Sequence, residues 1–90
     1  MRGREHTVIS LTIYTRPGCH LCDAMKATVE RVVREANVPA ELQEVDIRGD
    51  AALEARYGLE IPVLLVDGKK AAKYRIAEAD LIRILTARDM

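Results

Sequence analysis

The segment Ile13-Tyr14-Thr15-Arg16-Pro17-Gly18-Cys19-His20-Leu21-Cys22 joins two kinds of hydrophobic periodicity, and its reading decides the fold. Upstream, Val8 to Thr15 is rich in Val, Ile and Thr, with Leu11, Ile13 and Thr15 alternating onto one side as in a β-strand. Downstream, Met25, Val29, Val32, Val33 and Ala36 recur at helical spacing and form one apolar stripe. Asn37 and Pro39 stop that helix, the first as a left-handed cap and the second as a residue that cannot extend it.

Leu42 to Ile47 alternates again, Leu42, Glu44 and Asp46 against Gln43, Val45 and Ile47, and predicts a second strand. Asp50 is an N-cap for a short helix over Ala51 to Tyr57, with Glu54 close to the capping-box position and Gly58 closing the helix. Pro62 to Val66 reads as a buried strand. Asp67-Gly68 is a two-residue hairpin turn, because both of its central positions need positive φ, and it leads to a last strand near Lys70 to Tyr74. From Ala77, Leu81, Ile84 and Leu85 mark a closing helix. The order is β1-α1-β2-α2-β3-β4-α3. Its first half is a βαβ unit with a right-handed crossover, and its hairpin is antiparallel, so the class is α/β with a four-stranded mixed sheet and helices on both faces.

Ninety residues make a single domain spanning residues 1–90, with residues 1–6 as a flexible start and His6 as a terminal residue. The only aromatic side chains are Tyr14, Tyr57 and Tyr74, so the core is aliphatic. Fourteen basic residues balance fourteen acidic ones, and no basic groove interleaved with aromatics is available, which excludes nucleic acid as a partner. The longest aliphatic run, Val63 to Val66, falls far short of the ~20 residues of a membrane helix. The charged start, Met1-Arg2-Gly3-Arg4-Glu5-His6, is followed by no apolar signal region, so a cytoplasmic, monomeric protein is expected.

The chain has two cysteines, and they stand three positions apart, a spacing that random placement gives in about 2% of cases. They lie between the C-terminal end of the first strand and the amino end of the first helix, where chemistry collects in α/β sheets. Unpaired N–H groups and the helix dipole favour negative charge there, and cysteines at such sites ionise well below the ~8.5 of a free thiol. Cys19, nearer solvent, is the expected nucleophile. Residues three apart on a helix have Cβ atoms about 5–6 Å apart, and a disulfide needs about 3.5–4.5 Å, so a small adjustment lets Cys22 act as the resolving thiol. No cofactor is needed for that exchange.

On the quoted segment, and on element order over roughly residues 10–86, the chain resembles the glutaredoxin-like branch of the thioredoxin superfamily. The resemblance implies the thioredoxin fold and thiol-disulfide oxidoreductase activity. It places a cis-proline at Ile61-Pro62, where sequence alone favours trans, and gives the main chain of Ile61 a contact with an extended peptide or with glutathione. It makes Arg16, three positions before Cys19, a contact for a glutathione carboxylate, although Arg16 reads equally as an ordinary loop charge. The family's Pro-Tyr between the cysteines is replaced by His20-Leu21, and its glycine pair after the hairpin by Ala72-Lys73. Partners are therefore expected to be a disulfide-containing protein or a low-molecular-weight thiol, with glutathione not the preferred reductant.

His20 reads either as a modulator of the neighbouring thiolate or as a solvent-facing residue. Asp23 opposes a thiolate but suits a helix start. Lys69, Lys70, Lys73 and Arg75 read first as an edge-strand defence against aggregation and second as an attractor of acidic substrates. Tyr14, opposite in parity to Ile13, is expected to pack. Two other function classes use the same cysteines: a metal or iron-sulfur carrier built on Cys19, His20 and Cys22, and a redox-inert thioredoxin-like interaction module. A closed zinc site wants four ligands, and His6 is the only other histidine, so no metal site is assigned.

Overall fold

In the computed structural model, residues 8–89 are described; the flexible start expected at residues 1–6, with His6 in it, lies outside them. The element order is β1 (Ile9–Thr15), α1 (His20–Ala36), β2 (Ala40–Asp46), α2 (Ala51–Tyr57), β3 (Val63–Val66), β4 (Lys69–Lys73) and α3 (Glu78–Asp89). The sheet order is β2-β1-β3-β4. β1 and β2 are parallel, with Ile9 opposite Ala40 and Thr15 opposite Asp46. β1 and β3 are antiparallel, with Tyr14 opposite Val63, and β3 and β4 form the hairpin. This is the mixed sheet expected of the thioredoxin fold.

Alternation along β1 sends its side chains to two faces of the sheet. Ile9, Leu11 and Ile13 turn to one face, where they meet Met25, Val29 and Val32 of α1, Leu64 and Val66 of β3, and Leu81 and Leu85 of α3, all buried. Removing such apolar surface from water contributes about 1.5–3 kcal/mol per side chain. Tyr14 turns to the other face and stacks on Tyr57 of α2, ring centroids 4.6 Å apart, so α2 covers that side. Tyr14 therefore packs, as expected.

β2 is an edge strand whose two faces are covered at different points. Ala40 and Leu42 lean on the α1 side of the core, Glu44 bonds Lys26 of α1, and Ile47, just past the strand, is fully buried. Its apolar residues thus change face along the strand, which is why its alternation reads poorly in the sequence.

Asp67 and Gly68 both take positive φ, 51° and 85°, as the two-residue turn requires. Asp67 also fastens the turn. Its Oδ1 accepts the Ser10 N–H at 2.9 Å, its own N–H donates to the Ser10 carbonyl at 2.7 Å, and Arg88 of α3 pairs with its Oδ2. The Ser10 N–H and the Arg88 guanidinium hold the Asp67 carboxyl below the usual carboxylate range.

Several boundaries differ from the sequence reading. α1 starts at His20, not after Cys22, and the last strand ends at Lys73, leaving Tyr74 outside it with φ 68°. Asp50 caps α2 through the Leu53 N–H at 3.0 Å, so the capping-box position is Leu53 and Glu54 is free for another contact. Gly58 closes α2 without a left-handed turn, at φ −54°, its N–H donating to the Glu54 carbonyl at 2.9 Å. A side chain there would press on that carbonyl, and this close approach is the reason for a glycine. None of the described helices is long and apolar enough to cross a membrane.

Candidate active site

The strand-to-helix junction is built by Pro17 followed by Gly18 at φ 77°, the pairing of residues that a type II turn uses. The turn delivers Cys19 in extended geometry (φ −95°, ψ 109°) as the N-cap of α1. Its carbonyl accepts the first helical bond, from the Asp23 N–H at 3.1 Å. Its Sγ accepts the Cys22 N–H at 3.0 Å, taking the place that a serine or aspartate oxygen holds in an ordinary cap. A thiolate at this position receives a charge-assisted hydrogen bond and faces the positive end of the helix dipole.

Cys22 belongs to the inward stripe of α1 with Met25, Val29 and Val32, and is only 2% exposed, whereas Cys19 is half-buried. The two are joined by a disulfide, with Cα atoms 5.2 Å apart. One sulfur thus stands toward solvent at the helix start, and the other lies behind it in the core.

The register that sets Tyr14 against Val63 also brings Ile61 and Pro62 to the end of the sheet from which Thr15 leads into the cysteine loop. The Ile61-Pro62 bond is cis, as the resemblance implied. Pro62 is buried and Ile61 half-buried.

Arg16 does not stand free beside the cysteines. Its Nη2 pairs with Glu54 Oε1 of α2 at 2.5 Å, both side chains being about two-fifths exposed. It also borders a cleft of about 260 Å³ together with Thr15, Cys22, Asp23, Glu44 and Asp46. The Asp46 carboxyl is held below its ordinary range by the side chain and backbone N–H of Arg48, with a smaller contribution from Arg16. His20 is exposed at the first helical position. Lys70 and Lys73 both reach Glu60, at 2.6 and 3.9 Å. Among the described residues, no three His, Cys, Asp or Glu side chains gather in a way that would hold a metal ion, and His6 lies outside those residues.

Two participants were not legible in the sequence. Glu54 is 38 positions from Arg16 and carries no local sign of the pairing. Tyr74, expected at the end of the last strand, lies beyond it, where its N–H donates to the Pro62 carbonyl and its hydroxyl to the Leu59 carbonyl, each at 2.8 Å.

A β-α-β-α-β-β-α chain with this sheet order, two cysteines at the β1–α1 junction and a cis-proline opening β3 is a glutaredoxin-like member of the thioredoxin superfamily. The chain matches the family described as Glutaredoxin-like domain (DUF836) over residues 10–86, and it belongs to that family. Among solved structures it is similar to protein XcR50 from X. campestris, a structural genomics target, at 35% identity, covering 86% of this chain and 96% of that one with a TM-score of 0.65. It is also similar to protein Ne2328 from Nitrosomonas europaea, at 27% identity, 88% and 93% coverage and a TM-score of 0.74. Thioredoxin-2 of the malaria parasite shares the fold at 15% identity, with 89% and 82% coverage and a TM-score of 0.64. No curated protein matches the chain. Fold and cysteine pair together are those of a protein like the thiol-disulfide oxidoreductases.

Proposed function

We propose that the protein is a dithiol-disulfide oxidoreductase in which Cys19 attacks and Cys22 resolves. The observation that carries this reading is the Cys22 N–H on Cys19 Sγ at the amino end of α1, with Cys22 itself buried behind. The Cys19 thiolate attacks one sulfur of a substrate disulfide, forming a mixed disulfide and expelling the other sulfur as a thiolate. Cys22 then loses its proton and attacks Cys19 Sγ, which closes the internal disulfide and releases the second substrate thiolate. The substrate gains two electrons and two protons, and the protein is left oxidised. Two equivalents of a thiol reductant then break the internal disulfide through a mixed disulfide with Cys19, which restores the dithiol and releases the reductant as its own disulfide.

The substrate class we assign is a disulfide in another protein, met by a monomer in the cytoplasm, with the main chain of Ile61 beside the cis-proline supplying the contact to an extended segment. Glutathione is disfavoured on two counts. Ala72 and Lys73 stand where the family's glycine pair lies, and Arg16, the expected carboxylate contact, is already paired with Glu54.

The test is trapping with Cys22→Ser, reduced and then freed of reductant, in a cell extract cleared of small-molecule thiols, against Cys19→Ser treated alike as control. We expect a covalent adduct with a partner protein for Cys22→Ser, released by reductant, and none for Cys19→Ser. Equal adducts from both variants, or none from either, would contradict the assigned roles.

A further inference from the structure

Tyr74 is a non-glycine residue in the left-handed region, at φ 68°, and its bulk makes that conformation uncommon for its type. What holds it there is a pair of hydrogen bonds to one short stretch of chain. Its N–H donates to the Pro62 carbonyl and its hydroxyl to the Leu59 carbonyl, each at 2.8 Å, so one residue grips the chain on both sides of Ile61. Tyr74 is 42% exposed, so the geometry does not come from burial. The same residue borders a cleft of about 230 Å³ beside the first turns of α1, together with Leu21, Met25 and Ile76. A residue kept in a disfavoured conformation by contacts to a segment next to a reactive pair is a place to look for function.

We propose that Tyr74 is a positioning residue for substrate: it fixes residues 59–62 so that the main chain of Ile61 is presented at a constant height beside Cys19. Strand-like docking of a peptide depends on main-chain groups being held in register, and a tether at both ends of the segment supplies that register. Tyr74 touches neither sulfur and has no part in the bond exchange. The inference rests on the oxidoreductase reading and assigns it a specificity for extended polypeptide disulfides over compact ones.

The experiment compares wild type, Tyr74→Phe and Tyr74→Gly on two substrates, a synthetic peptide containing one cystine and a small aromatic disulfide, with thermal midpoints recorded for each protein. Tyr74→Phe removes only the hydroxyl bond; Tyr74→Gly removes the ring as well but suits the positive φ. With the segment loosened by one hydrogen bond, KM for the peptide should rise about fivefold in Tyr74→Phe and at least as much in Tyr74→Gly. kcat, and the rate with the small disulfide, should stay within twofold of wild type. An unchanged peptide KM in an active, folded variant overturns this inference alone, even if the thermal midpoint falls. An equal loss on both substrates also overturns it, because Tyr74 would then be acting on the cysteines. A wild type inert toward both disulfides overturns the oxidoreductase reading, and the inference with it.

Discussion

Replacing Gly58 by alanine sets two opposing effects against each other at the end of α2. Backbone entropy favours the change: Gly58 lies at φ −54°, where alanine is at ease, and such a substitution at a compatible site stabilises by about 0.4–1 kcal/mol through the unfolded chain. Packing opposes it. A Cβ at this position would lie 2.5 Å from the Glu54 carbonyl oxygen and 3.3 Å from Arg16 Nη2. The carbonyl is backbone, fixed as the acceptor of the Gly58 N–H, so relief requires α2 to shift or its last bond to open. Such overpacking costs about 1–3 kcal/mol, which outweighs the entropic gain. A net loss of about 1–2 kcal/mol lowers the thermal midpoint of a domain this size by roughly 5–15 °C. Circular dichroism melts and urea titration of Gly58→Ala measure it. A midpoint equal to or above wild type would show that the Glu54 carbonyl yields freely and that the close approach carries no cost.

Leu81 of α3 is fully buried between α1 and the sheet, and Leu81→Ala should destabilise by about 2–5 kcal/mol in urea titration; a loss below ~1 kcal/mol would mean α3 is not part of the core. The Asp67 carboxyl is held below its ordinary range by the Ser10 N–H and by Arg88, so its charged form favours the folded state. That stability is fully present above the ordinary carboxylate range and is lost as pH falls through it toward the depressed folded value. Asp67→Asn keeps an acceptor for Ser10 and suits the positive φ but removes the charge, so its stability, followed by denaturant titration from pH 6 to pH 3, should fall less steeply than that of wild type. Parallel pH curves would refute the linkage.

What the sequence conveyed and what it withheld divide along a physical line. β1 and α1 were legible because one face of each is continuously buried, so Leu11, Ile13, Met25 and Val29 carry their periodicity openly. The hairpin was legible because Asp67-Gly68 meets a local conformational demand. β2 is blurred by its change of covered face, and the start of α1 reads late in the sequence because Cys19 is not an ordinary capping residue. The cysteine pair could be placed from spacing and location, but the cis Ile61-Pro62 bond came only from the family resemblance. Nothing local in the sequence leads to the Arg16–Glu54 pair or to the bonds from Tyr74 to Leu59 and Pro62, since each joins residues whose proximity exists only once the sheet has closed.

The measurement that bears most directly on the chemistry is the pH dependence of alkylation of reduced Cys22→Ser by iodoacetamide, in which Cys19 is the sole thiol. Its sulfur keeps the helix start and the amide of residue 22 as hydrogen-bond donor, so the rate should reach its plateau by neutral pH, well below the range in which a free cysteine ionises. A rate still climbing between pH 8 and pH 9, with the midpoint of an unstructured thiol, would contradict the account.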